Sequence, residues 1–415
     1  MLIMNKKVIT NGRRSFLFGL GGLSIANLIH QLNTASVSAR EIDIYLSKDN
    51  QNNKNKEDTS LRQIAAAKGI LYGGFAQRAY NDFPQDALFK RMFTNDYGLI
   101  VGGFFGVTVG PFGRNNYNFR EVDPFFDFAQ RNNLAFRGHP MIWNQFNSPW
   151  LVEKFKSSST TNTEIEQIFT THISTLAKQY RGNVSSWDVV NEVINVEDGR
   201  ADGLRDTKVS GFNGDKYPTW LEFLGPGYIR QAFEIARAVD PQAKLVLNEN
   251  SLTYSNVSGN SYWEQRRNAL LKLLNKLKSE NTPIDALGIQ SHLLARFNNI
   301  FDGNKFRKFL KDVADMGLEI IISELDVSDT ELPKNIRTRD RIVAESYYEY
   351  LSVVLDEPAV TTVINWGLND RYTWLSDFAP RSDGAEVRPL LRDSQYNKKP
   401  AFQAVARAIE EAPKR

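Results

Sequence analysis

Two acids sit in unusual company. In "WDVVNEVIN", Trp187 to Asn195, the apolar residues Val189, Val190, Val193 and Ile194 are interrupted by Asn191 and Glu192. In "ISELDV", Ile322 to Val327, Glu324 closes a similar run. A carboxylic acid flanked by apolar residues is partly desolvated, and desolvation makes a carboxyl hold its proton, as a proton donor must. A second carboxylate stays ionised when it is hydrogen-bonded, and His292 in "QSH" offers such a bond. Two carboxyls in divergent environments are what cleavage of a glycosidic bond requires. One protonates the leaving oxygen; the other attacks the anomeric carbon or activates water. Asn191, beside the acid, suits a sugar hydroxyl, and Trp143, Trp366 and Trp374 offer flat apolar faces to sugar rings. Each residue alone has a plainer explanation. A glutamate ending a strand usually caps a loop, a buried histidine is usually satisfied by a neighbour, and a tryptophan usually packs a core. Only joint placement decides.

The elements that must position them follow a regular alternation. Short apolar runs at 69–76, 99–105, 134–142, 184–193, 244–250, 286–292, 319–327 and 359–368 read as strands. Helical patterns lie between them, among them 164–180, 228–239, 261–279, 304–316, 340–355 and 401–412. Strand then helix, repeated eight times, predicts a parallel sheet. No G-x-G-x-x-G follows the first strand, so the expectation is a closed (β/α)₈ TIM barrel with a single catalytic domain, not an open nucleotide-binding sheet. Such a barrel works at the carboxyl ends of its strands. Those ends carry Arg137 and His139 on the third, Asn191 and Glu192 on the fourth, and Asn248 to Asn250 on the fifth. Gln290 and His292 end the sixth, Glu324 the seventh, and Trp366 the eighth. They would therefore meet at one mouth.

The 415-residue chain is 41% hydrophobic and 24% charged, which suits a large core, and it holds no cysteine. Disulfides, thiolate metal sites and a cysteine nucleophile are excluded. Four histidines, and no H-x-H or carboxylate cluster at the strand ends, predict no metal and no cofactor. The net charge is +3, but Lys6, Lys7, Arg13 and Arg14 stand in an acid-free leader; subtracting their +4 leaves the rest near −1. Nothing here points to nucleic acid. Residues 1–39 read as an export signal: a basic start, the apolar "SFLFGLGGLSIANLI", and "VSA" as a cleavage site. Arg13-Arg14 ahead of Ser15-Phe16-Leu17 resembles a twin-arginine signal, departing from it at Gly12 and Phe18. Residues 40–61 form a polar linker, and the catalytic domain is expected over 62–415. The mature chain is expected to be a monomer outside the cytoplasm, periplasmic or extracellular, with no membrane contact.

These motifs resemble glycoside hydrolase family 10, the β-1,4-xylanases, from about residue 66 to 408. "WDVVNEVI" is similar to the family's acid/base signature, which implies that role for Glu192, with Asn191 beside it. "ISELDV" resembles the nucleophile signature and implies that role for Glu324. "GIQSH" implies supporting roles for Gln290 and His292. "RGHPMIW" places His139 and Trp143 at the sugar next to the scissile bond, "INWGLNDRYTW" resembles the eighth-strand motif with Trp366 and Trp374, and "KKPAF" resembles the start of the closing helix. The resemblance implies a retaining reaction on xylan, with carboxyls roughly 5–5.5 Å apart.

Departures matter as much. The family's second strand ends in "ENxxKW", whose polar residues hold sugars on the non-reducing side of the cut; here "GGFFGV", Gly102 to Val107, takes its place. Asn144 replaces a histidine, Phe146 a glutamine, and "NEN" replaces "NDY". Phe104, Phe105 and Phe146 are expected to rebuild that wall with aromatic surface. Two other readings stay open: a hydrolase of another β-linked glycan, and a carbohydrate-binding barrel without activity. The second is disfavoured because a binding module has no use for two opposed acids.

Overall fold

The computed structural model describes residues 60–210, 216–255, 262–295 and 300–415. The leader and most of the linker lie outside the described residues. Eight parallel strands close on themselves: β1 (Leu71–Phe75), β2 (Leu99–Val101), β3 (Ala135–Gly138), β4 (Ser186–Asn191), β5 (Lys244–Glu249), β6 (Ala286–Ile289), β7 (Glu319–Ser328) and β8 (Val360–Asn365). Each pairs with the next, and β8 pairs back to β1, so no edge remains. After each strand comes a helix: α1 (Ala87–Asp96), α2 (Asp123–Arg131), α3 (Asn162–Gln179), α4 (Tyr228–Val239), α5 (Tyr262–Ser279), α6 (Gly303–Ala314), α7 (Ile336–Val354) and α8 (Pro400–Glu411). This is the expected (β/α)₈ barrel. An additional helix, Leu61–Ala67, precedes β1, and the Ser60 hydroxyl caps it by accepting from the Gln63 amide.

The barrel interior is filled by Phe75, Leu99, Val101, Val246, Ala286, Ile321, Ile364 and Trp366, which pack as one cluster. A larger core lies between strands and helices. Close approach fixes Gly138: a Cβ there would stand 2.0 Å from the Trp187 ring.

All eight strands fall where the apolar runs predict them, yet several end early, and the breaks in the third, second and sixth matter at the mouth. The third run stops at Gly138, because Pro140 has no N–H for the ladder, and pairing to β4 resumes at Ile142–Trp143. The second run stops at Val101; a π-helical turn, Phe105–Val109, then occupies the rim. The sixth run stops at Ile289. Ser291 takes φ 62°, and the chain rejoins β7 through His292–Leu294.

Candidate active site

Consecutive residues of a regular strand point to opposite faces. Asn191 and Glu192 do not. Glu192 adopts φ 56°, a left-handed conformation that costs a non-glycine residue about 1 kcal/mol or more. This turn at the end of β4 breaks the alternation and delivers both side chains to the same partner. Gln290 Nε2 donates to Glu192 Oε1 at 2.9 Å and to Asn191 Oδ1 at 3.4 Å. Surrounding bonds hold the turn. The Glu192 amide donates to the Asn248 carbonyl at 2.9 Å, and Arg205 Nε donates to the Glu192 carbonyl at 3.0 Å. Glu249 Oε2 accepts from the Ile194 amide at 2.9 Å. Glu249 is fully buried and pairs with Arg266 at 2.8 Å; burial pushes its carboxyl pKa up, against the pull of that guanidinium.

Glu324 stands in β7 and is 5% exposed; Glu192 is 6% exposed. Asn248 Nδ2 joins the two sides, donating to Glu324 Oε1 at 2.7 Å and to Asn191 Oδ1 at 2.9 Å. A continuous chain therefore runs Glu192–Gln290–Asn191–Asn248–Glu324. Because Asn191 Oδ1 already accepts two bonds, its Nδ2 is turned away from them; that nitrogen is buried and bonds no protein group.

His292 meets carboxylates on both nitrogens: Nδ1 to Asp326 at 2.9 Å and Nε2 to Glu324 at 3.3 Å. Burial alone would pull an imidazole pKa down. The charges and hydrogen bonds of Asp326 and Glu324 outweigh it and push the His292 pKa up to about 10. His292 is thus an imidazolium at neutral pH and a charged donor to Glu324. Trp374 Nε1 steadies Asp326 at 2.7 Å.

Across the mouth, His139 is anchored through Nδ1 to Asp188 at 2.8 Å, and Arg137 also pairs with Asp188. Trp143 Nε1 donates to Glu192 Oε2 at 3.1 Å. Trp366 is only 4% exposed and stacks on Phe75 at 4.0 Å, so one of its faces is already covered. Phe146 lies 3.8 Å from Trp143, centroid to centroid. Phe104 stands between Phe75, His139, Trp143 and Trp366. The expectation for Phe105 is corrected: it is fully buried against Trp187 and Tyr180, because the π-helical turn points it into the strand–helix core.

The predicted residues Asn191, Glu192, Gln290, His292 and Glu324 thus converge in one bonded network, ringed by His139, Trp143, Trp366 and Trp374. Asn248 was named only as a strand end, and its bridging place was missed. Its signal lay in Gly288 opposite, where a Cβ would stand 2.2 Å from Asn248 Oδ1. The Glu249–Arg266 pair was missed as well. Among the described residues no group of three His, Asp or Glu side chains is placed to hold a metal ion.

A closed barrel with opposed glutamates at its mouth defines a barrel glycoside hydrolase. The chain matches the family model for glycosyl hydrolase family 10 over residues 60–408 and belongs to that family. It is 28% identical over 357 residues to endo-1,4-beta-xylanase B of Thermotoga neapolitana, covering 86% of this chain and 93% of that protein. It is 31% identical over 342 residues to endo-1,4-beta-xylanase C of Paenibacillus barcinonensis, covering 78% of this chain but only 29% of that longer protein. Among solved structures, xylanase 10B from Thermotoga petrophila RKU-1, in complex with xylobiose, superposes with a TM-score of 0.72 at 25% identity. The superposition covers 86% of this chain and 99% of that one.

Proposed function

We propose that this chain is an exported, retaining hydrolase of β-1,4-xylosidic bonds, with Glu324 as nucleophile and Glu192 as acid/base. A Glu324 oxygen attacks the anomeric carbon while Glu192 gives its proton to the departing glycosidic oxygen. The sugar is then esterified to Glu324. Glu192, now a carboxylate, takes a proton from water; the water oxygen attacks the same carbon and frees Glu324 with net retention. Gln290 orients Glu192, His292 and Asn248 orient Glu324, and Asn191 Nδ2 donates to a sugar hydroxyl. His139 borders the sugar next to the cut, and Trp143, Trp366 and Trp374 enclose it. The observation that carries this reading is the unbroken hydrogen-bond chain from one glutamate to the other. The printed names of the relatives support xylan as the substrate.

The catalytic domain spans residues 62–415 and acts as a monomer. Residues 1–39 direct it out of the cytoplasm by the twin-arginine route, with 40–61 as linker. Turnover of dinitrophenyl xylobioside and dinitrophenyl cellobioside, with Glu324→Ala as control, tests the activity. Release from the xylobioside alone, abolished by the substitution, is expected. Preference for the cellobioside would favour a hydrolase of another β-glucan, a reading that the aromatic second-strand end keeps alive. Retention of the Arg13→Lys, Arg14→Lys double variant in the cytoplasm is the expected outcome for the leader.

A further inference from the structure

The mouth has two unlike walls. On the side of β4 to β7, nearly every group that faces the site is a hydrogen-bonding one. On the side of β1, β2, β3 and β8, the surface is ring against ring. Phe75 stacks on Trp366 at 4.0 Å and 9°. The Phe104 centroid lies 5.4 Å from Phe75, 5.5 Å from His139, 6.3 Å from Trp143 and 6.4 Å from Trp366. Phe146 covers Trp143 at 3.8 Å. Phe104 and Phe146 are both half-buried.

Most of the polar groups near these rings are already engaged; His139 bonds through Nδ1 only, and Asn144 Oδ1 is buried without a protein partner. The Trp143 N–H goes to Glu192, and His139 Nδ1 is held by Asp188. The Phe104 carbonyl accepts from the Thr108 amide and hydroxyl, and the Phe105 amide donates to the His139 carbonyl. A sugar hydroxyl pressed against this wall gives up its water and gains little, a loss worth about 10-fold in recognition for each unmatched group. A hydroxyl capped by a small ester has no proton to satisfy, and its methyl group gains from burial against the rings.

We propose that the wall built by Phe104 and Phe146 selects a glycone whose ring hydroxyls carry small acyl esters, so that O-acetylated xylan is cut in preference to the bare chain. This rests on the xylosidic activity proposed above and on the resemblance that sets the β2 end beside the sugars on the non-reducing side of the cut. Phe104 and Phe146 act here as specificity residues and take no part in proton transfer or attack.

The test uses one preparation of acetylated xylo-oligosaccharides, half of it deacetylated by mild alkali, with kcat/KM followed by release of reducing ends. The wild-type chain is expected to favour the acetylated half by about 10-fold. Phe104→Asn, and separately Phe146→Gln, are expected to cut that preference to about 2-fold or less, mainly through KM on the acetylated half. Thermal melts show whether each variant is folded, and the wild-type ratio is decisive even if one is not. Equal or faster cleavage of the deacetylated half by the wild type overturns the selectivity and leaves the hydrolase reading standing. No cleavage of either half overturns the hydrolase reading and this proposal with it.

Discussion

The polar arc of the mouth, from β4 to β7, and the aromatic arc, from β8 round to β3, follow opposite rules. The polar arc is over-determined. Glu192, Gln290, Asn191, Asn248, Glu324, His292 and Asp326 are linked by bonds of 2.7–3.4 Å. Misplacing one member disturbs the next. The aromatic arc is held by packing, with Phe75, Phe104, Trp366, Trp143 and Phe146 in ring contacts that constrain orientation loosely. Chemistry needs fixed donors and acceptors, whereas recognition tolerates exchange of surface. One barrel mouth can therefore keep its reaction while changing what it accepts.

The comparison breaks most sharply at the polar arc. Glu324→Ala removes the proposed nucleophile and is expected to lower kcat by on the order of 10⁴-fold on every substrate. Steady-state rates on aryl xylobiosides check this. Residual activity within ~10-fold of wild type would mean that another group attacks.

Glu249→Gln strips the buried partner from Arg266 and loosens the turn that carries Glu192. Breaking a buried pair from one side costs about 3 kcal/mol or more, to be read from denaturant unfolding. The same variant should lose more rate on aryl glycosides with poor leaving groups, which need a well-placed acid, than on dinitrophenyl ones. An equal loss on both would show that Glu249 supports the fold and nothing more.

His292 gives the arc a pH signature. Its pKa is about 10 in the folded chain, against about 6.5 for a free imidazole. A raised pKa means that the folded state binds the proton more tightly. The stabilisation is therefore complete below pH ~6.5 and is lost as pH rises through about 10, a span worth up to a few kcal/mol. Unfolding midpoints from pH 6 to 10 should fall for the wild type and stay flatter for His292→Asn. Parallel curves would show that the imidazolium is not held by Asp326 and Glu324.

At the aromatic arc the effect should be smallest and of a different kind. Phe146→Ala is expected to raise KM for acetylated oligosaccharides several-fold, about 1 kcal/mol of lost ring contact, while kcat stays within about 2-fold. A fall in kcat at constant KM would erase the distinction between the arcs.

The sequence made the barrel legible because each strand is a short apolar run bounded by turn residues, and because α4 and α8 bury one face at helical spacing. The glutamates proposed as catalytic were legible for the opposite reason, as polar residues where the pattern calls for apolar ones. What pattern could not show were departures from it. Periodicity carries no sign of the left-handed turns at Glu192 and Ser291, which aim the side chains. Phe104 and Phe105 are chemically identical neighbours, and only the π-helical turn sends one to the cleft and the other to Trp187. Asn248 and the Glu249–Arg266 pair act across the barrel, between residues far apart in sequence.

The central claim is that Glu324 forms a bond to the sugar while Glu192 manages the proton. Its most direct test is to incubate the enzyme with a dinitrophenyl fluoro-xylobioside, whose ring fluorine slows breakdown of any covalent intermediate, and to map the label by peptide mass. The expected result is one sugar unit per chain, attached at Glu324 and absent from Glu324→Ala. Label on a different carboxylate, or turnover with inversion and no label, would contradict it.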